Sequence, residues 1–254
     1  MNPLFKTFQI IETIVFHQDS GLSYTDIVGR TGLPKATVHR LLKDLIDLGY
    51  LGYNQETKKY FGSLKLAALG AEVVANFRLR DHVRPHLVEL HQKTGHTTNL
   101  GIKSGSSGVF VDKIESADYG IKLFSEIGKH FPLHCTGLGK VLLAFSSPQE
   151  RDEVLSHPLE AYTEFTISDP EALKAELELI RERGYAFDNQ EITRGIMCVA
   201  APILGIDDRL ICGISIAFPS YINEDRDIQA EVEAITHQAA QISGNFRKKE
   251  TPAR

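Results

Sequence analysis

Leu4, Phe8, Ile11 and Val15 recur at intervals of three and four residues, which predicts an amphipathic helix over 3–17 with these side chains facing inward. Asp19-Ser20-Gly21 stops it. Ser23 followed by Asp26 has the form of a capping box and opens a second helix, which Gly32 and Leu33-Pro34 close early. A third helix begins at Pro34, whose missing N–H is harmless in a first turn. It runs to about Leu48, with Gly49 just beyond its end. Two β-prone runs, 50–53 and 59–61, flank Asn54-Gln55-Glu56-Thr57 and read as a hairpin.

Residues 63–94 are helical by pattern, in two segments divided within 77–81. The stretch SLKLAALGAEVVANF is apolar on more than one face, so part of it is expected to bury against a second protomer. From His96 the period changes. HTTNLGIKSGSSGVFVDKIES predicts two strands around a Gly-Ser-Ser-Gly turn, and YGIKLFSEI a third. A short helix at 137–145 follows, then a charged helix at 169–183 opened by Asp169-Pro170. Strands at 196–203 and 210–218 precede a last helix at 224–246. Runs of strands with helices outside them give an α+β fold with an antiparallel sheet flanked by helices.

Length adds that 254 residues exceed one small core, so two domains are expected. Residues 1–60 hold seven Lys/Arg against six Asp/Glu, and the remainder 21 against 27. The N-terminal part can approach a polyanion, and the rest is repelled by one. Three cysteines without C-x-x-C spacing exclude a zinc ribbon and a disulfide framework. No N-terminal stretch has the form of a signal peptide. The longest apolar run, 196–206, contains Pro202 and Gly205 and falls short of the ~20 residues of a membrane helix. A cytoplasmic protein with no membrane partner is expected.

The segment 22–50 carries the sharpest chemistry. In its third helix Val38, Leu41, Leu42, Leu45 and Leu48 share one face, set to pack on Ile27 and Val28. Lys35, Thr37, His39, Arg40 and Lys43 occupy the opposite face. Short polar and basic side chains on a helix held by a three-helix core suit a major groove. Arg40 is the candidate base reader, because its planar fork can bond guanine O6 and N7 together. Lys35, Lys43, Lys58 and Lys59 are assigned to phosphates, with the hairpin as a wing. An ordinary bundle with a solvated basic face is the alternative. Cap, glycine turn, Pro-started helix and hairpin in this order favour double-stranded operator DNA.

The segment LSYTDIVGRTGLPKATVHRLL resembles the IclR family of bacterial transcriptional regulators, with Ala36 where the family often has Ser and Gly29 inside the second helix. FPLHCTGLGKVLLAF, YAFDNQEITRGIMCVAAPI and ICGISIAFP continue the resemblance through the second half. The resemblance implies a winged helix-turn-helix domain at 1–62, a linker helix at 63–80 and a GAF-like effector domain at 81–250. It further implies a homodimer or homotetramer responding to a small carboxylate, sugar acids included. Motif position carries the pocket over to Gly137, Leu138, Asp188, Cys198, Ser215 and Ala217, the last where some members have Ser. A helix start at Gly137 suits a carboxylate, and Asp188 and Ser215 suit hydroxyls. Taken singly, Asp188 also reads as a strand end, Cys198 as a buried apolar residue and Ser215 as strand filling.

No catalytic constellation is found. His134-Cys135 pairs a thiol with a base, but neighbours on a strand point to opposite faces. No H-E-x-x-H, G-x-S-x-G or Walker-type loop occurs. His82 and His86 share a helix face, where solvent is a simpler partner than a metal. No enzyme, cofactor or metal is expected. A C-terminal domain that serves only for dimerisation stays open as the alternative to a sensor.

Overall fold

In the computed structural model, which describes residues 2–75, 78–117, 123–223 and 228–250, Asn2 opens α1 (Pro3–Val15) by accepting the Leu4 N–H at 2.9 Å. The buried face of α1 is Ile10 and Ile14, not the expected stripe. Leu4 and Phe8 are 66% and 58% exposed. The helix carries apolar residues at 4, 5, 8, 10, 11, 14 and 15, so two stripes overlap. The Gln9 side chain donates to the Thr31 carbonyl at 3.1 Å and helps fix the rotation that buries the isoleucines.

The chain divides into two compact units, Met1–Asn76 and Phe77–Arg254. In the first, β1 (Leu22–Ser23) leads into α2 (Tyr24–Thr31) through the expected capping box, with Ser23 N–H donating to Asp26 at 3.0 Å. Gly32 ends α2 in the left-handed region at φ 62°, where a Cβ is strained. Pro34 stands just before α3 (Lys35–Asp47) rather than inside it. Ile10, Ile14, Ile27, Val38, Leu42 and Leu45 build the core of this unit. Leu48 is exposed, because α3 ends one residue earlier and the chain turns away from the core. The hairpin of β2 (Leu51–Asn54) and β3 (Lys59–Gly62) forms, and β1 joins it in the order β1-β3-β2. α4 (Leu64–Ala75) then runs with Leu64, Leu69 and Val73 exposed.

The second unit begins with α5 (Arg78–Thr94). β4 (Thr97–Ser104) and β5 (Ser107–Ile114) form the expected hairpin. Of the third strand expected over 119–127, residues 119–122 lie outside the described residues, and 123–127 form no strand. The edge strand is β6 (His130–Pro132), after a turn at Gly128 with φ 83°. α6 (Gly137–Ala144) follows, then α7 (Pro148–Leu155), α8 (Pro170–Arg183) and β7 (Ala186–Asn189). α7, only two turns long, was not expected, and β7 was expected only in the alternative reading of Asp188 as a strand end. β8 (Ile196–Leu204), β9 (Leu210–Pro219) and α9 (Gln229–Glu250) complete the unit. Of the last helix as expected, 224–227 lie outside the described residues.

The six strands form one antiparallel sheet in the order β6-β5-β4-β9-β8-β7. The pleat sorts its side chains. Leu100, Val199, Ile214 and Ile216 pack with Leu87 and Leu90 of α5 and Ile235 of α9. Phe110, Ala186 and Ala200 pack with Leu138, Val141 and Leu142 of α6 and Leu177 of α8. Arg84 ties α5 to the sheet through fully buried Asp112, with Nη1 at 2.6 and 2.7 Å from its two oxygens. Arg80 reaches the same carboxylate at 3.4 Å. A lone buried carboxylate is costly, and two guanidiniums offset that cost.

Candidate functional sites

The first site is the outer face of α3. Lys35, His39, Arg40 and Lys43 are exposed along it, and Thr37 is half-buried. Pro34 makes no side-chain cap bond to the first turn of α3, so the helix N-terminus can receive an anion. Tyr24 Oη donates to the Lys35 carbonyl at 2.8 Å and its ring meets His39 edge-on at 6.4 Å. These contacts pin α3 to α2. Arg40 does not stand alone, since its Nη1 lies 3.2 Å from Asp44 Oδ2 on the same face. Lys58 occupies the tip of the wing at φ 58°. Lys59 points elsewhere, donating to the Ser20 carbonyl at 2.7 Å. The structure thus brings Lys35, His39, Arg40 and Lys43 onto one surface and draws Lys59 toward the start of β1.

The second site is a small cavity, about 50 Å³ and partly open to solvent, on the α6 face of the sheet. The strand register builds it. Asp188, Cys198 and Ala217 stand directly across from one another on β7, β8 and β9. One pleat further, Ser215 of β9 faces Asn99 of β4. Leu138, Asp188, Cys198, Ser215 and Ala217 all line the cavity, with Phe110, Leu123, Ile192 and Ile196 as further apolar walls. Gly137 sits behind Cys198: a Cβ there would come within 2.9 Å of the cysteine sulfur. The Gly139 N–H is taken by Thr136 Oγ1 at 2.9 Å, so the first turn of α6 meets the cavity through Leu138.

Burial dominates the electrostatics. The Asp188 carboxyl is pushed up to about 7 by desolvation, against the Glu191 N–H that donates to its Oδ1 at 2.7 Å. Burial likewise pushes the Cys198 thiol up to about 12, which makes it a neutral wall and not a nucleophile. Behind this wall the fully buried Lys140 donates to the Phe187 carbonyl at 2.7 Å and to Glu191. That pair locks α6 to the loop after β7.

His134 and Cys135 are not strand neighbours but lie in the bend between β6 and α6. His134 Nε2 is 2.9 Å from the Glu160 carbonyl oxygen, and burial raises the Cys135 thiol. Among the described residues no group of three or more His, Cys, Asp or Glu could hold a metal ion, and no helix is long and apolar enough to cross a membrane. The sequence reading missed Asn99 and Ser125, both in the cavity wall and nearly fully buried. Their Oδ1 and Oγ have no hydrogen-bond partner. A buried polar residue on a strand looks like any other in the sequence, so only the three-dimensional neighbourhood marks them.

Both units match known proteins. Residues 3–55 match the IclR helix-turn-helix domain, and residues 71–244 match the C-terminal domain of bacterial transcriptional regulator IclR. The chain is 37% identical to the HTH-type transcriptional regulator XynR of Escherichia coli over 84% of each chain. It is 35% identical to the HTH-type transcriptional regulator KdgR of Dickeya chrysanthemi, over 94% of this chain and 78% of that one. Among solved structures, Thermotoga maritima IclR superposes with a TM-score of 0.70 at 32% identity, covering 96% of this chain and 98% of that one. These relatives are transcriptional regulators, not enzymes, in keeping with the sequence reading. A helix-turn-helix in the first unit and a ligand-binding domain in the second place the chain in the IclR family of DNA-binding transcriptional regulators.

Proposed function

We propose that this regulator reads a specific operator through α3 and the wing, and that a small organic acid in the second-unit cavity sets its affinity for that operator. The cavity carries this reading. Its polar groups converge from four elements on one apolar space, the arrangement that small-molecule sites share. Asp188, Cys198 and Ser215 hold the positions that motif resemblance assigned to an effector. The carboxylate lies toward the first turn of α6 at Leu138, where the helix dipole favours an anion. Asp188, whose carboxyl burial pushes up to about 7, is about half protonated near neutral pH and in that form donates to a ligand rather than repelling it.

Operator binding rests on Lys35, Thr37, His39, Arg40 and Lys43, with Lys58 as a phosphate contact and Lys59, drawn to the Ser20 carbonyl, as a weaker one. The working assembly is a homodimer or homotetramer. The exposed apolar side chains of α1 (Leu4, Phe5, Phe8) and of α4 (Leu64, Leu69, Val73) supply surface for it. In this reading 1–62 bind DNA, 63–80 link and 81–250 sense, in the cytoplasm. A ligand changes operator affinity only through unequal affinity for two arrangements of the protomers, with couplings of about 1–3 kcal/mol.

A thermal-shift screen of hydroxy, keto and sugar acids tests it. A hit that also changes operator affinity supports the sensor, and Asp188→Ala should remove that response while ligand-free operator binding persists. If no acid both stabilises the protein and changes operator affinity, the effector reading fails and the second unit serves assembly alone.

A further inference from the structure

Two buried polar atoms in the cavity wall are left without partners. Asn99, 2% exposed, donates from Nδ2 to Ser215 Oγ at 3.3 Å, while its Oδ1 is unbonded. Ser125, 5% exposed, is held by its carbonyl, which accepts from Lys113 Nζ at 2.9 Å, while its hydroxyl is unbonded. A buried polar atom without a partner is destabilising, and each one in a native structure calls for an explanation.

The orientation of the Asn99 amide follows from its neighbours. The amide donates from Nδ2 to Ser215 Oγ, which turns its NH₂ toward β9 and leaves the carbonyl oxygen as an acceptor in the cavity wall. An acceptor there calls for an O–H or N–H on the ligand.

Resting on the organic-acid reading above, we infer that Asn99 and Ser125 are specificity-determining residues that require a hydroxyl on the ligand, so that the effector is a hydroxylated carboxylate. A keto oxygen or a methylene at that place leaves Asn99 Oδ1 unpaired in a desolvated wall. Sites built to bond a hydroxyl discriminate strongly against analogues lacking it. Lys113 is a positioning residue, holding the Ser125 loop while its ammonium also bonds Glu115 at 2.7 Å.

The experiment is calorimetric titration of the full chain with matched acids: D- and L-lactate against pyruvate and propionate, and gluconate against hexanoate. At least one hydroxylated acid should bind at least tenfold more tightly than its partners. Asn99→Leu should collapse that ratio to within threefold of unity, mainly by weakening the hydroxylated member. Ser125→Ala, a smaller change that leaves the backbone contact to Lys113, should lower the ratio in the same direction and serves if Asn99→Leu fails to fold. Equal binding of the matched acids by the wild-type chain, or an unchanged ratio in either folded variant, would overturn this inference alone. Binding of none of the acids would overturn the organic-acid reading and this inference with it.

Discussion

Arg40 and Asp44 stand one turn apart on the exposed face of α3, the guanidinium 3.2 Å from the carboxylate. An exposed i,i+4 pair is weak, so its consequence is orientation more than stability. The carboxylate holds the fork of Arg40 along the helix until a better acceptor arrives. Arg40→Ala should relax preference at one base pair by about 1–3 kcal/mol, read by selection from a randomised operator library. An unchanged selection profile would remove Arg40 from base reading.

Lys58, at the wing tip, should behave differently. Lys58→Ala is expected to weaken all sequences alike and to lower the slope of log K against log salt by roughly 0.9. Lys59→Ala should change the slope less, because its ammonium already bonds the Ser20 carbonyl. Mobility-shift titrations at several salt concentrations measure both slopes. Equal loss in the two variants would mean that Lys59 leaves Ser20 to reach a phosphate.

The first unit closes a core of its own. A fragment of residues 1–76 should fold, melt cooperatively and bind the operator at low salt, more weakly than the full chain. A folded fragment without measurable affinity would count against α3 as the reading element.

Asp188 makes stability fall with rising pH. Its folded value is about 7 against 3.8 in an unfolded chain, so between those values the folded state holds more protons. The stabilising contribution of the protonated form is complete below about 4 and is lost as pH rises through 7. Asp188→Asn keeps an acceptor for the Glu191 N–H and should flatten that decline, melting higher than wild type at pH 8. Parallel melting curves for the two proteins across pH 5–8 would show that Asp188 does not titrate there.

Gly139→Ala should be severe. A Cβ there would come within 2.3 Å of the Pro132 carbonyl oxygen and 2.7 Å of Leu133 Cα, and backbone cannot retreat as a side chain can. A loss of about 1–3 kcal/mol or more is expected from overpacking, read by chemical denaturation. Wild-type stability would show that the bend before α6 yields easily.

Local signals were the legible ones. The Ser23–Asp26 capping box, the turn at Gly32, the hairpin between β2 and β3 and the strands β8 and β9 are all written in neighbouring residues. Where periodicity offered two answers, it misled. α1 bears overlapping apolar stripes, and a tertiary contact through Gln9 favours the one with Ile10 and Ile14. Residues 123–125 fall in a run that reads as a strand, yet they form none and line the cavity. The motif resemblance found five residues of the cavity wall, but Asn99 and Ser125 carry no motif. Their meaning lies in atoms left unpaired by partners more than a hundred residues away in one case and by a loop in the other.

The pleat that sends Asp188, Cys198, Ser215 and Asn99 to one face of the sheet sends Val199, Ile214, Ile216 and Leu100 to the other. Chemistry and cohesion therefore alternate along the same strands. Evolution can recut the pocket for a different metabolite by changing every second residue, while the layer that bonds the sheet to α5 and α9 is inherited untouched. One scaffold can in this way diversify into many sensors, each step confined to positions whose alteration leaves the opposite face able to fold.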